Sequence, residues 1–128
     1  MAPRGGLVFL LANVIGLIPI AFGINALLRP DSALSMFPLQ PSIVPSAKST
    51  IEALIYLYGV RDIFMGVAIQ AAAFFGGPRS LGVMLLAGAG VAIADGFIIK
   101  AVLPGEGHEW NHWGYSPLLF LPGAFLMT

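Results

Sequence analysis

Residues 5–28 contain no charged side chain and are dominated by Leu, Ile, Val, Phe, Ala and Gly. A helix needs about 20 apolar residues to cross hydrocarbon about 30 Å thick, so this run is long enough to span a bilayer. Arg4 ahead of it also fits the start of a signal peptide. The apolar region of such a peptide is about 7–15 residues, however, and this one is longer, so it reads as a first retained span. The rest of the chain points the same way. Only 9% of its 128 residues are charged, against about 25% in a soluble domain, too few to clothe a water-facing shell. Six basic and six acidic residues leave a formal net charge of zero. There is then no basic field to draw nucleic acid, and that partner is excluded. The absence of cysteine removes disulfides, thiolate metal sites and a thiol nucleophile.

Three more spans follow. Span two covers residues 51–75, with Glu52, Arg61 and Asp62 inside it, and Gly76, Gly77 and Pro78 turn the chain. Span three covers 80–103, carries Asp95 and Lys100, and stops at Pro104, Gly105 and Gly107. Span four, 109–127, is irregular because it contains Pro117 and Pro122, and it is entered through Trp110 and Trp113, residues common at the membrane interface. Between spans one and two, Pro30, Pro38, Pro41 and Pro45 forbid a long helix. That segment is expected to be an interfacial loop or short helix, or to fold back over the bundle. The expected fold is all-α: a polytopic membrane protein, one four-transmembrane-helix bundle over residues 1–128, with both termini on one side. Arg4 and Arg79 against Arg29 and Lys48 leave its orientation undecided.

Charges inside a span are costly, so they face a cavity or each other and mark functional candidates. At about 1.5 Å per residue, Asp95 lies about 12 Å from the end of span three and Arg61 about 15 Å from the start of span two. The agreement in depth predicts that Arg61 reaches Asp95, while Asp62, about 100° round the helix from Arg61, faces elsewhere. An ion pair that only fixes packing accounts for Arg61 and Asp95. It does not account for the sum of minus one over Arg61, Asp62 and Asp95. In a dry pocket that imbalance favours a proton on one carboxyl, giving an acid and a base around a shared guanidinium. Lys100 is close enough to the surface to snorkel outward.

Tyr58, Asp62, Gly66 and Gln70 recur every four residues and form one polar, partly small face of span two. Asn13 and Asn25 in span one could add donors and acceptors, although interhelical hydrogen bonds explain each alone. The glycines of spans two and three permit close helix approach. The stretch His108-Glu109-Trp110-Asn111-His112 matches H-E-x-x-H, which on a helix binds zinc. Here glycines and prolines crowd it and no third ligand is near. The competing reading is an interfacial segment anchored by Trp110, Trp113 and Tyr115, with Glu109, His112 and Trp113 at the mouth of a substrate cavity.

Gly59-Val-Arg61-Asp62 with Gly66, the Asp95-Gly96 pair with Lys100, and the stretch from Trp110 to Gly114 resemble the fungal family of small four-span membrane proteins labelled domain of unknown function 4267. The resemblance covers nearly the whole chain and implies a companion of secondary-metabolite pathways with a lipophilic polyketide or terpenoid substrate. Arg61, Asp62 and Asp95 are then expected to be catalytic, and Tyr58, Asn13, Asn25, Glu109, His112 and Trp113 to bind substrate. The expected chemistry is opening of an epoxide, by hydrolysis or cyclisation, without a cofactor. An isomerase using the same acid would look identical in sequence. The composition resembles the Asp-Arg-Asp set of the limonene-epoxide-hydrolase type on an unrelated fold. The alternatives are a non-catalytic membrane binding or scaffold protein and a zinc hydrolase through His108 and His112. The expected partners are the lipophilic small molecule and membrane lipid, with a homo-oligomer left open, in the endoplasmic reticulum or another endomembrane.

Overall fold

Proline opens most of the helices, since its missing N–H and fixed φ suit a first turn. The computed structural model describes residues 6–37, 39 and 42–128. These form α1 Gly6–Leu28, α2 Pro30–Met36, α3 Pro45–Phe75, α4 Pro78–Val102, α5 Trp110–Trp113 and α6 Ser116–Met127, with no strand among the described residues. Pro30, Pro45, Pro78 and Pro117 stand in the first turns of α2, α3, α4 and α6. Arg4, Gly5, Pro38 and Pro41, on which parts of the sequence reading rest, lie outside the described residues. The fold is all-α. Two helices, α1 and α4, are long and apolar enough to cross a membrane.

α3 starts at Pro45, well ahead of the expected Ile51. A proline in the first turn costs the helix no hydrogen bond, and Lys48 pairs with Glu52 one turn later at 3.8 Å. Ahead of α3 the proline-rich segment forms the seven-residue α2, which packs back onto α1 and α3. After α4 the chain reverses through Gly105 (φ 84°) and Gly107 (φ 75°), a conformation that a side chain would strain.

The helices associate as two close pairs. α1 and α3 run antiparallel with glycine against glycine: a Cβ on Gly23 would strike the Gly59 carbonyl, and one on Gly66 would sit 2.6 Å from the Gly16 carbonyl. α4 and α6 repeat the device, since a Cβ on Gly82 would lie 3.0 Å from the Gly123 carbonyl and one on Gly123 3.2 Å from that of Gly82. Small residues let the backbones of neighbouring helices meet closely. Contact between the pairs, α3 with α4 and α1 with α6, is much sparser. Ile15, Ile69, Leu85 and Leu119 fill one end of the bundle, and Ala26, Ala33, Leu34 and Ile55 pack under α2 at the other. Leu10, Leu17, Leu57, Phe64, Phe97 and Leu121 stand exposed on the outside. So extensive an apolar surface suits a lipid environment.

Candidate functional site

Between the two core clusters, and between the two helix pairs, lies a cavity of about 260 Å³. α1 contributes Ile18, Pro19 and Phe22, α3 contributes Tyr58, Asp62 and Met65, and α4 contributes Gly88, Val91, Ala92 and Asp95. Ala33, Met36 and Phe37 close one side, and Asn111, His112 and Tyr115 another. The wall is mostly hydrocarbon with a few polar groups, the usual make-up of a small-molecule site.

Arg61 joins the helix pairs. Its Nη1 donates to Asp95 Oδ1 at 3.2 Å and its Nη2 to Asp95 Oδ2 at 2.9 Å, a bidentate pair. The same Nη2 lies 3.4 Å from Asp62 Oδ1, so the long arginine side chain curls back to its sequence neighbour. The expected Arg61–Asp95 contact is present, and the guanidinium touches Asp62 as well although the two residues are about 100° apart on the helix. One correction concerns position. The Arg61 side chain is 42% accessible, against 6% for Asp62 and 17% for Asp95, and it does not line the cavity. It holds the carboxylates from outside, with its guanidinium 4.9 Å from the centre of the Tyr58 ring.

The carboxylates therefore differ. Both Asp95 oxygens are engaged by the guanidinium. Asp62 gives Arg61 only Oδ1, at the longer distance, and it too lines the cavity. Tyr58, one turn before Asp62, lines the same space. The other half of the four-residue face is committed to packing: Gly66 lies against α1, and Gln70 Nε2 donates to the Asn13 carbonyl at 2.7 Å.

Phe37 forms a plug over this site. Its ring meets Tyr58 edge-on at 4.9 Å and stacks on His112 at 5.6 Å with 14° between planes. Tyr115 forms the opposite boundary, its hydroxyl donating to the Ile15 carbonyl at 3.3 Å. Neither Phe37 nor Tyr115 stands out as a site residue in the sequence. The signal for Tyr115 is Pro19, which is inside α1 and deprives the Ile15 carbonyl of its helical donor.

Four expected substrate contacts lie elsewhere. Asn13 Nδ2 donates to the Phe9 carbonyl at 2.8 Å, a bond within its own helix, and Asn25 Nδ2 faces Met36 Sδ at 3.9 Å. Glu109 is buried, and its carbonyl caps the Trp113 N–H at 3.0 Å. Trp113 leaves the cavity altogether: Nε1 donates to the Ile93 carbonyl at 3.2 Å, the ring lies on Gly96, and Lys100 Nζ is 5.4 Å from its centre. It clamps α5 to the outside of α4, where Gly96 supplies the space. Tyr58 and His112 are the two expected binding residues that do line the cavity.

The H-E-x-x-H stretch does not form the helical pair that zinc needs. α5 begins only at Trp110; His108 Nε2 lies 2.9 Å from Glu106 Oε2, while the His112 ring stacks on Phe37. No group of three His, Asp or Glu able to hold a metal occurs among the described residues.

A family model described as "Domain of unknown function (DUF4267)" matches residues 16–126 and so takes in every cavity residue named above. No curated protein and no solved structure matches the chain.

Proposed function

The chain belongs to the DUF4267 family, and from that premise we propose that it is a small membrane-embedded enzyme applying acid/base catalysis to a lipophilic small molecule. In this reading α1, α3, α4 and the α5–α6 segment are four passes through an endomembrane, and the substrate is a polyketide or terpenoid that reaches the cavity from the bilayer. The observation that carries the proposal is the inequality of two carboxyls beside one apolar cavity, Asp95 held by two hydrogen bonds from Arg61 and Asp62 by a single longer one.

Epoxide opening fits such a pair. With the proton on Asp62, the three side chains sum to zero charge, which suits their surroundings. Asp62 gives that proton to the epoxide oxygen as the carbon–oxygen bond breaks. Water, or a hydroxyl of the same molecule, attacks the carbon and loses its proton, which returns to Asp62. Asp95 stays ionised on Arg61 and fixes the guanidinium that steadies Asp62 between the two steps. Tyr58 and His112 orient the nucleophile from the cavity wall, and Phe37 keeps bulk water out.

A second reading is favoured by the same ion pair. Arg61 ties α3 to α4, as it would in a protein that only holds a lipophilic molecule or a neighbouring enzyme. Feeding membranes a panel of lipophilic epoxides separates the two readings. Asp62→Asn is expected to abolish product formation while the protein remains folded, and Asp95→Asn and Arg61→Gln to reduce it strongly. Unchanged products in folded Asp62→Asn protein would defeat the acid/base proposal, and no product above that of membranes lacking the protein would leave the binding function.

A further inference from the structure

Pro19 lies inside α1, is buried and forms part of the cavity wall. It has no N–H, so the Ile15 carbonyl one turn earlier has no donor at the usual position in its own helix. In an apolar interior an unpaired carbonyl is costly, and a neighbouring helix commonly supplies the missing partner. Here the partner comes from outside the α1–α3 pair: the Tyr115 hydroxyl donates to Ile15 at 3.3 Å.

A phenol carries one proton and accepts through its oxygen lone pairs. Tyr115 has committed that proton to the helix and also lines the cavity. Toward a bound molecule it can therefore act as an acceptor only. A ligand ether or carbonyl oxygen placed against it would meet another lone pair, whereas a hydroxyl could donate. A site built to accept from a hydroxyl discriminates strongly against an analogue that lacks one.

We infer that Tyr115 is a specificity-determining residue which, because its own proton is held by the Ile15 carbonyl that Pro19 leaves free, selects apolar ligands bearing a free hydroxyl. This rests on the reading of the cavity as a ligand site and adds the ligand's chemical class. The hydroxyl sits at the Tyr115 wall, and the hydrocarbon body lies against Phe22, Met65 and Val91.

The test uses 2-naphthol and 2-methoxynaphthalene, an apolar pair differing in the one donor. The full-length protein in mild detergent is dialysed to equilibrium with each probe against protein-free micelles, which subtracts partitioning. Wild type is expected to favour 2-naphthol by about tenfold, the scale of one hydrogen bond. Tyr115→Phe is expected to lose that preference. Because this variant strands the Ile15 carbonyl and could misfold, Pro19→Ala/Tyr115→Phe is measured beside it. There the alanine introduced in place of Pro19 brings an N–H that restores the helical bond, and the preference is again expected to vanish. Equal binding of both probes by wild type, or a preference that survives in the folded double variant, overturns the role of Tyr115 and leaves the cavity as a ligand site. Failure of wild type to bind either probe overturns the ligand reading as well.

Discussion

The seams within each helix pair and the seam between the pairs are built on opposite plans. Within α1–α3 and α4–α6, glycines bring backbone against backbone and leave no room for an added methyl group. Between the pairs, contact is sparser: a charged bridge, a tyrosine hydroxyl and the Ile15–Ile69–Leu85–Leu119 cluster border a partly open cavity. The close seams create the shape of the molecule and hold no chemistry. The loose seam holds Tyr58, Asp62, Asp95, His112 and Tyr115 around one space. A bundle this small can enclose a ligand only by leaving one interface unfilled, and the two pairs are self-contained enough to allow that.

The most severe way to break this contrast is to overfill a close seam. Gly66→Leu would drive a side chain into Ile20 and the Gly16 carbonyl, and Gly23→Val would meet the Gly59 carbonyl. Overpacking on this scale is expected to cost about 3 kcal/mol or more. It should appear as loss of monodisperse protein on size exclusion in mild detergent. Recovery of either variant with an unchanged melting temperature would refute the glycine-on-glycine account.

Next comes the bridge. Arg61→Gln leaves the Asp95 carboxylate without its cation, and about 2 kcal/mol of stability is expected to go, less than for a fully buried pair because the arginine is partly exposed. Asp95→Asn added to it should recover more than half of that loss. Melting temperatures of the two single variants and the double, treated as a cycle, measure this coupling; purely additive effects would mean that the bridge does not join the pairs.

A smaller effect is expected at the hydroxyl. Tyr115→Phe strands the Ile15 carbonyl and should cost about 1 kcal/mol. In a Pro19→Ala background the helix supplies its own donor, and the same substitution should become nearly neutral. A cost that is equal in both backgrounds would show that the tyrosine matters for its packing alone.

The bridge was legible in the sequence because depth along a helix follows from counting residues. Arg61 and Asp95 lie at matching depths, and their contact follows. Rotation about the helix axis was less legible. Only span two carries a marked face, through Tyr58, Asp62, Gly66 and Gln70, and Arg61 lies off that face, behind the cavity instead of in it. The same uncertainty put Trp113 at the mouth, whereas Gly96 draws it to the outer face of α4. Asn13 and Asn25 looked like site donors because polar side chains are rare in span one, yet Asn13 bonds within its helix and Asn25 turns to Met36. Phe37 was hidden because it belongs to a segment without periodicity, placed by the fold of α2 alone. Pro19 held real information: a proline inside a long apolar helix implies a donor elsewhere, and Tyr115 supplies it.

The smallest stability effect is expected at Gly88, and it sharpens the contrast most directly. Gly88 is buried like the seam glycines and belongs to the same helix as Gly82, yet a Cβ there would meet Leu119 Cδ1 at 3.4 Å and Met65 Sδ at 3.5 Å. Those are ordinary contacts with flexible side chains. Alanine also loses less backbone freedom than glycine on entering a helix, so Gly88→Ala should leave stability unchanged or raise it by up to about 1 kcal/mol. Its methyl group would nevertheless stand in the cavity wall. Binding of 2-naphthol should weaken while thermal unfolding stays at or above the wild-type temperature. Gly82→Ala is the paired control: its Cβ would lie 3.0 Å from the Gly123 carbonyl, so it should lower the melting temperature. If the two alanines destabilise equally, the distinction between a packed seam and an open one is lost.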